Sequence, residues 1–319
     1  MTMQPFQFNF TKGTADTQVG QNMLYMMPKI VSVLRQLSPC ARRVMKQILG
    51  KGQNGVFLET LTGMPVISLR NAKERVEPQS YEAGKIYIPA DQNPTGVWVD
   101  YDETILASAI DKQATVRNNF YIAMKNYIST QLLMLALSAE HSYSCTGTDN
   151  KLCLNDFNLL RKEFGKMGVT EQIDAYISLD DAANIRTEMT GKNLFVENIM
   201  NDVFREAFIG RLYGIETFEE AFVYEDTNGS SSPYSYDIYN LFTTNDAIIM
   251  VMKDVFTSNT TSGLDKLSYI EPEAGISFSI TAETTGNPAK TEYCIEMNCG
   301  FGIMDPRKMK AVVSKRIQV

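Results

Sequence analysis

The stretch "ETILASAIDKQATVRNNFYIAMKNYISTQLLMLALSAE", residues 103–140, contains neither glycine nor proline, and the interval free of both runs from Gly96 to Gly147. Apolar side chains recur along it at intervals of three or four residues, which is the spacing of one buried helix face. The pattern predicts a single helix from Glu103 to Glu140. At 1.5 Å per residue such a helix is about 55 Å long, several times the usual three turns.

Strand-like segments lie on both sides of this helix. Residues 53–102 contain β-branched and aromatic runs such as "GVFLETL" and "GKIYIPA", separated by glycine, proline and asparagine. Near the C-terminus, polar and apolar residues alternate on both sides of "TTGNPAK", which is typical of a β-hairpin. From Met26 to Gly50 the pattern is helical, with an interruption at Pro39. These segments predict an α+β protein arranged around one long helix.

A second informative stretch is "FIGRLYGIETFEEAFV", residues 208–223, in which Gly210 and Gly214 surround Arg211 and Tyr213. Glycines between a helix and a strand can cradle a phosphate, form a packing corner or cap the helix. Phosphate sites use helix N-termini, and the spacing here matches neither common phosphate-binding loop. The sequence therefore predicts that Gly210 ends a helix in the left-handed conformation and that Gly214 turns the chain into a strand.

No pattern of catalytic or metal-binding residues is visible. His141 is the single histidine, which removes most metal, triad and proton-relay chemistry. The five cysteines form no C-x-x-C pair and suit free, mostly buried thiols in a reducing compartment. The acidic pairs Asp180–Asp181 and Glu219–Glu220 are interpreted as solvated surface. The prediction is a protein that is not an enzyme, with no catalytic, cofactor-binding or metal-binding residues and no cofactor.

Charge is divided between basic ends and an acidic body. The net charge is −7, yet residues 1–58 hold seven basic residues and one acid, and residues 306–319 hold five basic residues and no acid. Basic ends can contact the acidic bodies of neighbouring copies, face a polyanion or be solvated. The first alternative predicts that Arg42, Arg43 and Lys46 lie on the N-terminal helix and face an acidic patch of an adjacent copy.

The order of elements resembles the Hong Kong 97 capsid fold of the major capsid proteins of tailed double-stranded DNA bacteriophages. That order is a basic arm and helix, a β-hairpin excursion, one very long helix, a mixed region and a closing hairpin. The stretch "FIGRLYGIETFEEAFV" looks like a glycine corner found in many such proteins. In addition, "DAYISLDDAANI" resembles their strand-then-helix segment, and "CGFGIMDPRKMKAVV" resembles their closing strands. The likeness covers nearly the whole chain and rests on order and local pattern.

The resemblance implies a set of domains and a structural function. The domains would be an N-terminal arm and helix (1–52), an extended β-hairpin loop (53–102), a peripheral domain with the spine helix (103–144 and 270–319) and an axial domain (145–269). The protein would self-assemble as hexamers and pentamers into an icosahedral shell around the phage genome.

The resemblance also implies partners and a location. The partners would be other copies of the chain, a portal protein, a separate scaffolding protein and nonspecifically bound DNA, with no membrane. The location would be the virion, after assembly in the host bacterial cytoplasm. Lys85 lies in the extended loop, where some relatives form a covalent cross-link; here we expect a contact between subunits without one. The alternatives are an encapsulin-like compartment that encloses a cargo enzyme, or an enzyme with an unrecognised site.

Overall fold

A computed structural model describes most of the chain. The residues described are 9–10, 26, 30, 37–50, 52–62, 82–101, 110–191, 208–228, 234–253, 265–271, 275–286 and 289–318. Most of the predicted N-terminal arm and residues 103–109 of the predicted long helix lie outside them.

Four α-helices have described bounds: α1 (Pro39–Arg43), α2 (Ile110–Met134), α3 (Leu154–Lys166) and α4 (Leu179–Gly191). The strands are β1 (Asn9–Phe10), β2 (Met45–Leu49), β3 (Gly55–Thr62), β4 (Glu82–Pro89), β5 (Thr95–Tyr101), β6 (Ser142–Ser144), β7 (Ile173–Ile177), β8 (Phe208–Leu212), β9 (Ile215–Glu219), β10 (Tyr224–Asn228), β11 (Tyr234–Thr244), β12 (Ile248–Lys253), β13 (Asp265–Glu271), β14 (Ile276–Gly286), β15 (Ala289–Glu296), β16 (Cys299–Ile303) and β17 (Met309–Gln318).

The long helix is confirmed in the part of it that the structure describes. Helix α2 is unbroken over its 25 described residues and continues into a 3-10 turn at Leu135–Ser138, after which Ala139 is extended. Its apolar residues recur every three or four positions and so lie on one face, as the sequence pattern predicts. The buried residues on that face are Tyr121, Met124, Ile128 and Leu132.

The largest sheet has seven strands and is covered on both faces. Its order is β6-β17-β11-β7-β9-β8, with β10 also paired to β11. All five residues of β7 are buried, as expected for a central strand enclosed from both sides. Successive side chains of a strand point to opposite faces. Accordingly, Tyr176 and Leu241 share a core with α2, whereas Ala175 and Phe242 share another core with α3 and α4.

A five-stranded sheet packs on α2 from another side. Its order is β1-β13-β14-β15-β5, and β14 and β15 form the hairpin that the alternating C-terminal pattern predicts. Trp98 on β5 stacks on Tyr293 of β15, with ring centroids 5.4 Å apart, and also contacts Phe120 and Tyr121 of α2. Both sheets therefore share one apolar core with the long helix.

A three-stranded sheet and a two-stranded hairpin pack together around a third apolar core. Strands β16, β12 and β2 form a three-stranded sheet, in which β12 and β2 run parallel. Strands β3 and β4 form a two-stranded antiparallel hairpin within the segment predicted to be an extended loop. Val56 and Ile88 of the hairpin are buried together with Ile249 and Val251 of β12. One face of the hairpin is thus anchored on the small sheet.

The predicted N-terminal helix is wrong beyond Arg43. The sequence predicts helix up to Gly50, but Val44 is extended and Met45–Leu49 is strand β2. Lys46 therefore lies on a strand and not on the same helix as Arg42. The reason is that β12 is buried and offers a row of backbone partners, and strand pairing with it outweighs a local helical pattern.

The strand pairing can be compared with the predicted domain boundaries. The prediction assigns all of residues 270–319 to a peripheral domain built on the long helix. Strands β14 and β15 do pack on α2, but β17 pairs along its length with β11 in the seven-stranded sheet. Most strands of that sheet lie in residues 145–269, whereas β12 and β13 of the same range pair in the three-stranded and five-stranded sheets. The domain boundaries stay a prediction.

The anchoring of the hairpin leads to a test with two glycines. A Cβ atom at Gly300 would lie 1.8 Å from the Pro89 carbonyl oxygen, whereas a Cβ at Gly165 in α3 would meet nothing within 4 Å. We expect Gly300→Ala to lower the free energy of unfolding by about 1–3 kcal/mol, because backbone atoms must shift. Gly165→Ala should be neutral or raise that free energy by up to about 1 kcal/mol. Urea unfolding of both variants measures this, and equal effects would contradict the close packing.

Candidate functional site

Helix α1 connects the N-terminal segment to the seven-stranded sheet. It starts at Pro39, a residue suited to the first helical position, and the Ser38 side chain accepts a hydrogen bond from the Ala41 N–H at 3.4 Å. Acidic side chains from β7 and β9, and one that follows β9, hold this helix. We call α1 together with Asp174, Glu216 and Glu220 the N-terminal junction.

Arg43 ties α1 to two strands at the N-terminal junction. Its Nε donates to Asp174 Oδ2 at 2.8 Å, and its Nη2 donates to Glu216 Oε2 at 2.6 Å. The two acids are opposite each other in the parallel pair β7–β9, so the guanidinium neutralises adjacent like charges. The guanidinium also lies 4.7 Å from the centroid of the Phe218 ring. Arg43 thus binds acids of its own chain, whereas the sequence predicts a contact with an adjacent copy.

Asp174 is a fully buried acid whose charge depends on this pairing. Its side chain has no exposed surface, and Tyr176 donates a hydrogen bond to the same Oδ2 atom at 3.3 Å. Burial raises the pKa of Asp174 and outweighs the opposing effect of the Arg43 charge; the nearby Glu216 charge adds to the rise. Without Arg43, an ionised Asp174 would be left in the core with no counter-charge.

Glu220 holds the start of α1 from inside the protein. This side chain is buried, and its Oε1 accepts the Cys40 N–H at 2.9 Å. The Ser38 hydroxyl donates to the same carboxylate. Burial is the largest influence on Glu220 and raises its pKa to about 7, although both hydrogen bonds and the charges of Arg42 and Lys125 act in the other direction. Glu220 is therefore an acid that titrates near neutral pH.

The interpretation of the two acidic pairs as solvated surface is wrong for one member of each. Glu220 is buried, and so is Asp181, which accepts hydrogen bonds from Ser178, Asn240 and Ser314. A signal for Asp181 was present, because the spacing of Ser178 and Asp181 is that of a helix capping box. No local pattern distinguishes Glu220, since its partners are 180 residues away in the sequence.

The glycine corner is a β-hairpin and not a helix end. Phe208–Leu212 is strand β8, and Gly210 lies at a register shift with φ +138, so the predicted left-handed helix cap is wrong. Tyr213 and Gly214 form the turn into β9, both with positive φ. Arg211 is exposed and donates to Gln172 Oε1 at 2.7 Å. The change of chain direction that the sequence pattern attributes to a helix cap is instead made by the irregularity in the edge strand β8 and the turn that follows it.

Lys85 lies on the outward face of the β3–β4 hairpin. The side chain is exposed, as are those of Phe57 and Tyr87 on the same face, which are 71% and 45% exposed. These two rings are cross-strand partners with centroids 4.6 Å apart. The hairpin therefore has one face anchored within the chain, and its other face exposes an aromatic pair beside Lys85. The contact of Lys85 with another subunit stays a prediction.

The basic C-terminal end pairs with acids of its own chain. Lys308 contacts Glu171 and Asp246 at 2.7 and 2.6 Å, and the mostly buried Lys310 contacts Glu163 at 2.6 Å. The Nη1 atom of Arg316 lies 2.9 Å from Oδ2 of Asp180. These residues therefore have acidic partners within the chain, and a contact of this end with neighbouring copies stays a prediction.

The described residues show three further features. All five cysteines are free, and Cys40, Cys145 and Cys299 are buried. Within the described ranges, no group of three His, Cys, Asp or Glu side chains is placed so that it could hold a metal ion. None of the helices described is long and apolar enough to span a membrane.

Comparison with known proteins gives a clear result for the fold. No protein-family model matches the chain, and no curated protein sequence matches it. Solved structures do match. The capsid of Ralstonia phage GP4 aligns over 88% of this chain and 91% of that chain, with a TM-score of 0.60 and 10% identity. The mature capsid of bacteriophage PhiM1 aligns over 86% of each chain, with a TM-score of 0.55 and 11% identity.

A chain of Mycobacterium phage Che8 aligns over 98% of this chain and 94% of its own length, with a TM-score of 0.54 and 10% identity. These matches span nearly the full length of both partners. The fold predicted from the sequence, a Hong Kong 97-type phage capsid fold, is therefore confirmed.

The N-terminal junction predicts unequal effects for two arginines. We expect Arg43→Ala to lower the free energy of unfolding by about 2 kcal/mol or more, because the buried Asp174 carboxylate loses its counter-charge. Since Arg43 is partly exposed, this loss should be smaller than that for a fully buried pair. Arg211→Ala removes an exposed side chain and should change the free energy of unfolding by less than about 0.5 kcal/mol. Urea unfolding of the unassembled chain compares them. Equal effects would show that Arg43 is not tied to the core.

Proposed function

We propose that this chain is the major capsid protein of a tailed double-stranded DNA bacteriophage and assembles into an icosahedral shell around the genome. The observation that carries the proposal is the full-length likeness of the fold to phage capsid chains. The acidic net charge of the chain argues against tight coating of DNA, so contact with packaged DNA would be weak and nonspecific. The chain would act as a structural protein and not as an enzyme.

In this proposal the β3–β4 hairpin supplies one contact between copies. A two-stranded hairpin alone is marginally stable in water, so its exposed face gains from a partner. The outward pair Phe57–Tyr87 offers apolar area for that partner, and Lys85 offers a charge beside it. We propose that this face packs on a neighbouring subunit when the chain assembles into hexamers and pentamers. A contact of this kind is small, and a shell repeats it many times.

Two cations near α1 complete the proposed contacts. Arg42 is exposed, and Lys46 on β2 is half-buried against Gly275. Burial and the nearby Arg42 charge lower the pKa of Lys46, so an acidic partner would relieve the repulsion between them. We propose that these two face an adjacent subunit, whereas Arg43 acts within the chain. The remaining proposed partners are a portal protein and a separate scaffolding protein, with assembly in the host cytoplasm.

Electron microscopy of the purified chain tests the proposal directly. We expect closed hollow shells hundreds of ångströms across, and small monodisperse particles both with and without the scaffolding protein would exclude a shell protein. The double variant Phe57→Ser, Tyr87→Ser should fold with unchanged circular dichroism but form few shells. Tyr213→Asn is the matched control, because it removes an aromatic ring of similar exposure at a turn where asparagine tolerates positive φ.

The contents of particles isolated from infected cells separate the proposal from its alternative. Double-stranded DNA inside supports a capsid, and an enclosed protein with no DNA supports a cargo compartment. If shells form, the fold assignment holds whether the particles contain DNA or an enclosed protein.

The charged contacts predict a dependence on salt. Charge reversal of Arg42 and Lys46 together should reduce the yield of empty shells, most strongly at low salt, where screening is weakest. The yield is measured by sedimentation across a series of salt concentrations, with Arg211→Glu as the control. If empty shells form normally at every concentration while DNA packaging fails, the two cations face DNA and the proposed subunit contact is wrong.

A further inference from the structure

We propose that Asn54 is a site of spontaneous deamidation, in which the Gly55 backbone nitrogen attacks the side-chain amide of Asn54 while Lys253 stabilises the oxygen of that amide. Asn54 is exposed and directly precedes strand β3, which begins at Gly55. The Lys253 Nζ donates a hydrogen bond to Asn54 Oδ1 at 2.9 Å. The site is a property of the single chain and does not depend on the proposed shell.

The Gly55 N–H is not used in the pairing between β3 and β4. The Asn54 carbonyl oxygen accepts the Ala90 N–H at 2.9 Å, so these two residues form a hydrogen-bonded pair. Pairs along an antiparallel ladder alternate between bonded and non-bonded, and the next pair is Gly55 with Pro89. Because proline has no N–H, this pair suits the non-bonded position, where the Gly55 N–H points away from β4. The ladder therefore leaves the Gly55 nitrogen available for the attack.

The packing of the hairpin requires glycine after Asn54. A Cβ atom at Gly55 would lie 2.6 Å from the Ile88 carbonyl oxygen and equally close to the Tyr87 ring. The backbones therefore approach each other as only glycine allows. Since glycine has no side chain to hinder its own nitrogen, the same packing keeps the attacking atom accessible to the Asn54 amide.

Lys253 is held in position by β12. It is the last residue of this buried strand, it pairs with Leu49 of β2, and its N–H donates to the Asn298 carbonyl oxygen at 2.8 Å. When the Gly55 nitrogen adds to the Asn54 Cγ, negative charge develops on Oδ1. The Lys253 ammonium already donates to that oxygen, so it stabilises the charge without having to move.

The reaction needs only water. The Gly55 nitrogen forms a bond to Cγ and gives its proton to solvent, while the bond from Cγ to Nδ2 breaks and Nδ2 takes up a proton and leaves as ammonia. Water then opens the cyclic imide at either carbonyl, which gives aspartate or isoaspartate at position 54. The aspartate carboxylate would lie beside the Lys253 ammonium. A neutral contact between the hairpin and β12 would thus become a charge-assisted one.

Peptide-resolved mass spectrometry of the folded chain, incubated at mildly alkaline pH, tests the proposal. Asn228–Gly229 is a second Asn–Gly pair in the chain and serves as an internal clock. We expect both aspartate and isoaspartate at position 54 in the wild type. Lys253→Met should lower the rate at Asn54 relative to Asn228 at least about threefold, because the oxyanion loses its donor. Lys253→Arg keeps a cationic donor and should retain most of the wild-type rate.

Unfolding in urea provides the matched reference. Lys253 is then no longer positioned beside Asn54, so the wild type and Lys253→Met should show the same ratio of rates at Asn54 and Asn228. Both variants alter a partly exposed side chain and should keep the circular dichroism of the wild type.

Four results would overturn the proposal. The first is an Asn54 that stays intact in the folded wild type during an incubation that modifies it in urea. The second is an equal rate ratio in the folded wild type and folded Lys253→Met. Aspartate without isoaspartate would show direct hydrolysis by water instead of attack by Gly55. A covalent link between the peptides of Asn54 and Lys253 would show attack by the lysine amine.

Discussion

Helix α2 is the element on which both large sheets pack. Its buried side chains share one apolar core with Trp98 and Tyr293 of the five-stranded sheet and with Tyr176 and Leu241 of the seven-stranded sheet. A helix satisfies its backbone hydrogen bonds internally, so it can lie between two sheets without leaving unpaired polar groups in the core. The arrangement of the other elements follows from this, because each sheet must direct one apolar face towards α2.

Ion pairs within the chain connect α1 and β17, near its two ends, to the rest of the protein. The N-terminal junction contains two buried acids, Asp174 and Glu220, which interact with α1 in different ways. The Arg43 pair compensates one charge with another, whereas the buried Glu220 carboxylate is held by the uncharged donors of Ser38 and Cys40. Buried ion pairs contribute little net free energy because both charges lose water, but a displaced partner leaves an uncompensated charge. The junction thus makes other positions of α1 costly.

The same internal pairing bears on how copies of the chain can meet. Several cations of the C-terminal strand are already matched with acids of the body, and Arg43 is matched at the N-terminal end. At these described positions, cations of the two basic ends are therefore matched with acids of the same chain. Among the hairpin side chains that the structure describes, an aromatic pair and a lysine are exposed. In the proposed shell, this surface would supply short-range apolar contact, supplemented by a few exposed cations.

The sequence by itself determined the long helix and the hairpins, because the spacing of apolar residues and the position of turn residues are local properties of the chain. It also determined the order of elements that led to the correct fold. Only the tertiary structure decided that residues 45–49 are a strand, that Gly210 lies at a bulge and that Glu220 is buried, because each depends on a partner distant in the sequence. Strand β2 needs β12, the bulge needs β9, and Glu220 needs α1. A charged residue shows its role only when its surroundings are known, since burial and partners, and not residue type, determine whether it faces solvent, a neighbouring copy or the core.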